Sequence, residues 1–143
     1  MRLALAVALA VMLGLSGCGG DSSSAAADSS SRCVDVPQDL QAAIAAESKP
    51  GVQITPVDAA AVKSDDFKDL YFIAMSFTAP GVDDPETGIW ATTVLKADAN
   101  GPAGVMTGVD GFAHQFTTWQ DASERGVNYP SDDGIQEAKA CLE

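Results

Sequence analysis

The sequence predicts an α+β domain: an N-terminal helix, a three- to four-stranded antiparallel sheet, and two C-terminal helices packed on one sheet face. Three observations predict it. Val36, Leu40, Ala43 and Ile44 recur at helical spacing where the domain opens. Two runs rich in aromatic and β-branched residues, 70–77 and 89–95, follow at a distance suited to hairpins. Beyond Asp110 the apolar spacing turns helical again.

The first helix opens at Val36-Pro37-Gln38-Asp39-Leu40, with Asp35 or Val36 at the cap. Proline is tolerated in a first turn, where its missing N–H would have no partner anyway. Lys49-Pro50-Gly51 ends the helix. Val52 and Ile54 then alternate with polar residues. Pro56 restricts this stretch to a sheet edge or a break, and residues 57–63 continue it. Ser64-Asp65-Asp66 reads as a turn. Residues 70–77 form a continuous apolar run that belongs in the middle of a sheet. Residues 80–88 read as a polar loop and 89–95 as the next strand. Asn100-Gly101 is a tight-turn signal that folds residues 104–109 back beside that strand.

Residues 110–119 fit two periods. Phe112, Phe116 and Trp119 suit a helix capped by Asp110, whereas Phe112, His114 and Phe116 suit a strand; the helix is the reading adopted here. Residues 126–130 are loop. Ser131 caps a last helix, with Asp132 and Asp133 at its positive end and Ile135, Ala138, Cys141 and Leu142 facing inward.

Ahead of the domain, Met1-Arg2 is a short basic start, and residues 3–13 are an uncharged run of Leu, Ala, Val and Met. That layout is a secretory signal, and the run is shorter than the ~20 residues a membrane-spanning helix needs. Leu15-Ser16-Gly17-Cys18 resembles the bacterial lipobox. The resemblance implies diacylglycerylation of Cys18 on sulfur and cleavage between Gly17 and Cys18. Two acyl chains, at ~0.8 kcal/mol per buried methylene, hold a protein on a bilayer where one chain would not.

Three cysteines make an odd count for an exported chain. Lipidation of Cys18 accounts for one and leaves Cys33 and Cys141 as the natural disulfide pair outside the cytoplasm; two separate thiols are the alternative. The expected division is then 1–17 signal peptide, 18–32 lipidated cysteine and tether, and 33–143 one disulfide-closed domain. The tether, residues 19–32, holds six serines and three alanines with no aromatic or branched aliphatic residue. It cannot bury a core and should reach ~20 Å as flexible chain.

The formal charge is −12, and loss of Arg2 with the signal makes it −13 for residues 18–143. Such a chain lacks the basic patches that nucleic acid or an anionic lipid surface would require. The expected partners are the bilayer, through acylated Cys18, and an envelope protein, peptide or wall component.

Several segments together resemble a group of small, functionally uncharacterised actinobacterial envelope lipoproteins. They are Lys63-Ser64-Asp65-Asp66-Phe67, Tyr71-Phe72, Gly88-Ile89-Trp90-Ala91-Thr92, Phe116 with Trp119, and Ser131-Asp132-Asp133-Gly134 ahead of Cys141. The resemblance covers most of the domain. It implies an extracytoplasmic, lipid-anchored location and carries over no active site.

Chemistry is sparse. His114 is the only histidine, so any Ser-His-Asp or Cys-His arrangement must use it, and no Gly-x-Ser-x-Gly elbow is present. A histidine between phenylalanines reads first as a packed or surface residue, and no catalytic residue is assigned. The cysteine count leaves no His/Cys zinc site, and no phosphate-cradling glycine loop follows a strand, so no cofactor is expected. Asp83, Asp84 and Glu86 are the metal candidate, as hard oxygen ligands for calcium; the alternative is a solvated loop. Asp98-Ala99-Asn100-Gly101 lacks the later acids of a calcium loop and reads as a turn. Trp90, Trp119, Tyr71, Phe72, Phe112 and Phe116 read mainly as core, with one or two left to line a groove.

The expected function is a membrane-anchored extracytoplasmic lipoprotein carrying a non-enzymatic binding domain. A cell-surface hydrolase using His114 or a carboxylate pair, and a protein inhibitor with a rigid loop at residues 83–87, are the alternatives. A deep pocket around His114 would favour the hydrolase, and a shallow apolar patch the binder.

Overall fold

The computed structural model describes residues 32–130 and 133–143. The expected signal peptide, Cys18 and most of the tether lie outside the described residues, as do Ser131 and Asp132. The described residues are α+β and include a five-stranded antiparallel sheet and three α-helices.

The chain enters through β1 (Val34–Asp35), which pairs with the far end of β2 (Thr55–Lys63), and passes into α1 (Gln38–Ala46). Strands β2, β3 (Tyr71–Thr78) and β4 (Glu86–Thr92) follow as an antiparallel meander. A small hairpin, β5 (Ala97–Asp98) with β6 (Gly101–Pro102), stands apart from the sheet. β7 (Met106–Gly108) then returns beside β4, giving the order β1-β2-β3-β4-β7. Helices α2 (Gly111–Phe116) and α3 (Ile135–Ala140) complete the chain.

The two C-terminal helices do not share a sheet face, contrary to the sequence expectation. Ile73, Met75 and Phe77 of β3 point to one side, with Trp90, and pack with Leu40 and Ile44 of α1 and with Ala113 and Phe116 of α2. Phe72 and Ala74 point to the other side, with Val62, Ile89 and Ala91, and pack with Ile135 and Ala138 of α3. The sheet is therefore covered on both faces. The physical reason lies in β3, where both alternating sets of side chains are apolar, so either face left bare would hold Phe72 or Phe77 in water.

Other boundaries also move. β4 begins at Glu86, so the preceding loop is shorter than residues 80–88, and it ends at Thr92 instead of continuing to residue 95. The hairpin turns at Ala99 and Asn100 rather than Asn100 and Gly101: Asp98 pairs with Gly101, and Asp98 Oδ1 accepts the Asn100 N–H at 2.7 Å. Pro56 lies inside β2, at a register shift in which Pro56 faces Phe77 and Asp58 faces Ser76. Val57 is the extra residue of this bulge and is 58 % exposed. The irregularity suits a proline, which has no N–H to give a ladder.

α2 is capped by Asp110, as expected, its carboxylate accepting the Ala113 N–H at 2.9 Å. The same oxygen accepts the Ile89 N–H at 3.0 Å, tying the helix start to the middle of β4. The helix ends at Phe116, so Trp119 is not part of its stripe, and Phe112 is exposed while Ala113 and Phe116 face the core. Thr117 is buried: its hydroxyl donates to Ala113 O at 2.6 Å and lies 3.4 Å from the Trp90 indole nitrogen. Trp119 donates its indole N–H to Ile44 O at 3.2 Å.

Cys33 and Cys141 are joined in a disulfide, spanning 108 residues of sequence. In the chain-entropy model a loop of ~100 residues is worth ~4.7 kcal/mol. Arg32, assigned from sequence to the tether, is engaged with the domain. Its guanidinium donates to Lys63 O at 2.7 Å and pairs with Asp65 and Glu137 at 2.9 and 2.8 Å. Among the described residues no helix is long and apolar enough to cross a membrane.

Candidate functional site

His114 lies half-buried on α2, its ring against Gly108, where an added Cβ would come within 2.8 Å of the imidazole. Its Nε2 is 3.1 Å from Asp121 Oδ2. Asp121 in turn accepts from Ser123 twice through Oδ1, from the hydroxyl at 2.6 Å and from the N–H at 2.7 Å. These Ser123 bonds, with a smaller attraction from His114, hold the Asp121 carboxyl below the usual carboxylate range. Lys49 donates its ammonium to His114 O.

Serine, aspartate and histidine are thus brought together, but in an order that does not activate a nucleophile. A catalytic histidine must stand between the hydroxyl and the carboxylate so that it can take the hydroxyl proton. Here the carboxylate stands between them, and the Ser123 proton is held by Asp121. The surrounding hollow, bounded by Lys49, Thr118, Gln120 and Glu124, has a volume of about 290 Å³ and is open to solvent.

The calcium candidate is not assembled. Asp83 and Asp84 are exposed on the loop while Glu86 belongs to β4. Among the described residues no group of three or more His, Cys, Asp or Glu side chains could hold a metal ion. Of residues 83–87, Asp83, Asp84 and Pro85 are exposed loop, whereas Glu86 and Thr87 belong to β4.

Of the six aromatic residues considered, Phe112 alone is exposed, at 39 %. It stands on a groove of about 650 Å³ on the α3 side of the sheet. Three residues lying side by side on adjacent strands, Asp58, Ser76 and Thr87, line it. Phe112, Leu142 and the bulged Val57 supply its apolar surface. The groove exists because α3 is six residues long: the helix covers the rows of Phe72 and Ala74 and leaves the row of Ser76 open. A second, smaller hollow of about 400 Å³ lies between α1 and the β5–β6 hairpin, lined by Ala42, Ala43, Ala46 and Trp119.

Sequence reasoning named Phe112 among groove candidates but missed Val57, Asp58, Ser76 and Thr87. The available signal was Pro56, a break inside a strand, which marks the place where a neighbouring side chain leaves the sheet pattern.

No protein-family model matches the chain, and neither a curated protein nor a solved structure is significantly similar to it.

Proposed function

We propose that the protein is a membrane-anchored extracytoplasmic lipoprotein whose folded domain is a non-enzymatic binding module at the cell envelope. The observation that carries the reading is the division of its three cysteines. Two are bridged to each other, as suits an oxidising compartment, and the third stands in Leu15-Ser16-Gly17-Cys18, after an uncharged run with the length of a signal core. The likeness of several segments to actinobacterial envelope lipoproteins supports the same location. Binding rather than catalysis is supported by the Ser123–Asp121–His114 order, which withholds the base from the hydroxyl, and by an open groove with an exposed phenylalanine.

The test is Cys18→Ser in the native host, followed by fractionation and intact-mass measurement. The wild-type chain is expected in the membrane fraction, carrying a diacylglyceryl mass increment at Cys18. The variant is expected to leave that fraction and to lose the increment. A variant that still sediments with membranes overturns the anchor.

A further inference from the structure

We infer that the groove over β2, β3 and β4 binds a peptide segment of a partner protein, one that presents an apolar side chain between flanking lysine or arginine side chains. The inference rests on the reading of the domain as a binding module and names what the module takes.

The apolar part of the argument is the placement of exposed side chains. Single exposed hydrophobic residues are ordinary on a protein surface. Here Val57, 58 % exposed, and Phe112, 39 % exposed, come from separate elements, β2 and α2, and line one groove together with Leu142. Neither position is required by the core. Val57 is the extra residue of the bulge, and α2 already buries Ala113 and Phe116.

The charged part is the sign of the rim. Asp58, Glu86 and Glu143 line the groove, and among the described residues none of them is in an ion pair. Asp58 uses one oxygen on the Ala59 N–H, at 2.8 Å, and keeps the other. Among the described residues Lys139 is the one basic residue lining the groove, and its ammonium lies 3.9 Å from Asp110. The rim is therefore complementary to a cationic segment. A second copy of this chain is the wrong occupant, because a chain of formal charge −12 would bring the same acidic rim against itself. A groove of this volume falls in the range of ligand pockets. It suits one large side chain with a short extended backbone, five residues of which span ~17 Å.

The full chain, purified in detergent micelles, is titrated against a fluorescein-labelled Lys-Leu-Lys-Phe-Lys peptide, and polarisation is read after subtraction of empty micelles. Two control peptides are Lys-Ser-Lys-Ser-Lys and Glu-Leu-Glu-Phe-Glu. Saturable binding of the first peptide is expected, with both controls weaker by about tenfold or more. Phe112→Ser and Glu86→Lys should each weaken it about tenfold, as loss of a central contact does. Val57→Ser serves as the second apolar variant, since a side chain this exposed can be changed with little effect on folding; near-UV circular dichroism checks each fold.

Absence of saturation at millimolar protein overturns the proposal. So does equal binding of the Lys-Ser peptide, which would mean nonspecific attraction to an acidic chain, or binding indifferent to both Phe112→Ser and Val57→Ser. A peptide-free dimer abolished by Phe112→Ser would assign the groove to a second copy and likewise overturn it. None of these outcomes touches the anchor, which is read by fractionation.

Discussion

Asp133 is bound to Ser64 across 69 residues of sequence, its carboxylate accepting the Ser64 hydroxyl. The same carboxylate accepts the Asp65 and Asp66 N–H groups at 2.7 and 3.2 Å, while Ser64 Oγ accepts the Phe67 N–H at 2.8 Å. From sequence, Asp133 was expected to serve the positive end of α3. Instead Gly134, at φ 77°, turns the chain into the helix and directs Asp133 to the β2–β3 turn. The two Ser-Asp-Asp triplets of the sequence thus meet through Ser64 and Asp133.

Asp133→Ala removes all three bonds and leaves donors in a largely buried place. It is expected to cost about 3 kcal/mol, given 1–3 kcal/mol for a buried group left unsatisfied and more where charge is involved. Asp133→Asn is expected to cost about 1 kcal/mol, because its carbonyl oxygen still serves the two N–H groups and the Ser64 hydroxyl can rotate to accept from the amide. Urea unfolding of both variants measures this. Equal losses for the two would refute the assignment of bonds.

Gly88 shows a different constraint, one of space. A Cβ there would lie 2.6 and 2.8 Å from the six-membered ring of Trp90, which is fully buried, and 3.3 Å from the Ala113 N. Gly88→Ala is expected to destabilise by about 1–3 kcal/mol, the usual cost of overpacking. Gly111, on α2, has nothing within 4 Å of its missing Cβ. Gly111→Ala should be neutral or stabilising by up to about 1 kcal/mol, as alanine is the better helix former. Thermal unfolding of the pair separates the two cases. A neutral Gly88→Ala would show that the Trp90 ring is free to move.

Much of the fold was legible because its signals are local. The aromatic run in β3, the break at Pro56 and the cap at Asp110 each depend on a few neighbouring residues. What escaped depends on pairing at a distance. β1 is two residues long and has no pattern of its own; its place follows from β2 on one side and from Arg32 and Cys33 on the other. The position of α3 on the second face follows from Phe72 and Phe77 pointing oppositely, which the continuous run in β3 implied but a one-faced arrangement ignored. The groove was illegible for a similar reason: Val57 is exposed by the register between β2 and β3, and no property of Val57 itself announces that. His114 could be named from composition, whereas Asp121 as its partner required knowing that α2 ends at Phe116 and the chain turns back at Thr117.

The His114–Asp121–Ser123 chain makes a prediction about titration. The hydroxyl and N–H of Ser123 are the main causes of the lowered Asp121 carboxyl, and His114 contributes less. Ser123→Ala removes the hydroxyl bond and keeps the N–H, so the Asp121 midpoint should rise toward the ordinary carboxylate value; His114→Gln should raise it by a smaller amount. The sign for stability follows from linkage: a carboxyl lowered on folding adds stability above its unfolded value, ~3.9, and loses it as the pH falls through the folded midpoint. Ser123→Ala should therefore flatten the acid limb of the stability profile below about pH 4 and leave the neutral region parallel to wild type. Carboxyl carbon chemical shifts followed between acid and neutral pH measure the midpoints directly. A larger shift from His114→Gln than from Ser123→Ala would reverse the ranking, and would make the histidine, not the serine, the group that keeps Asp121 ionised.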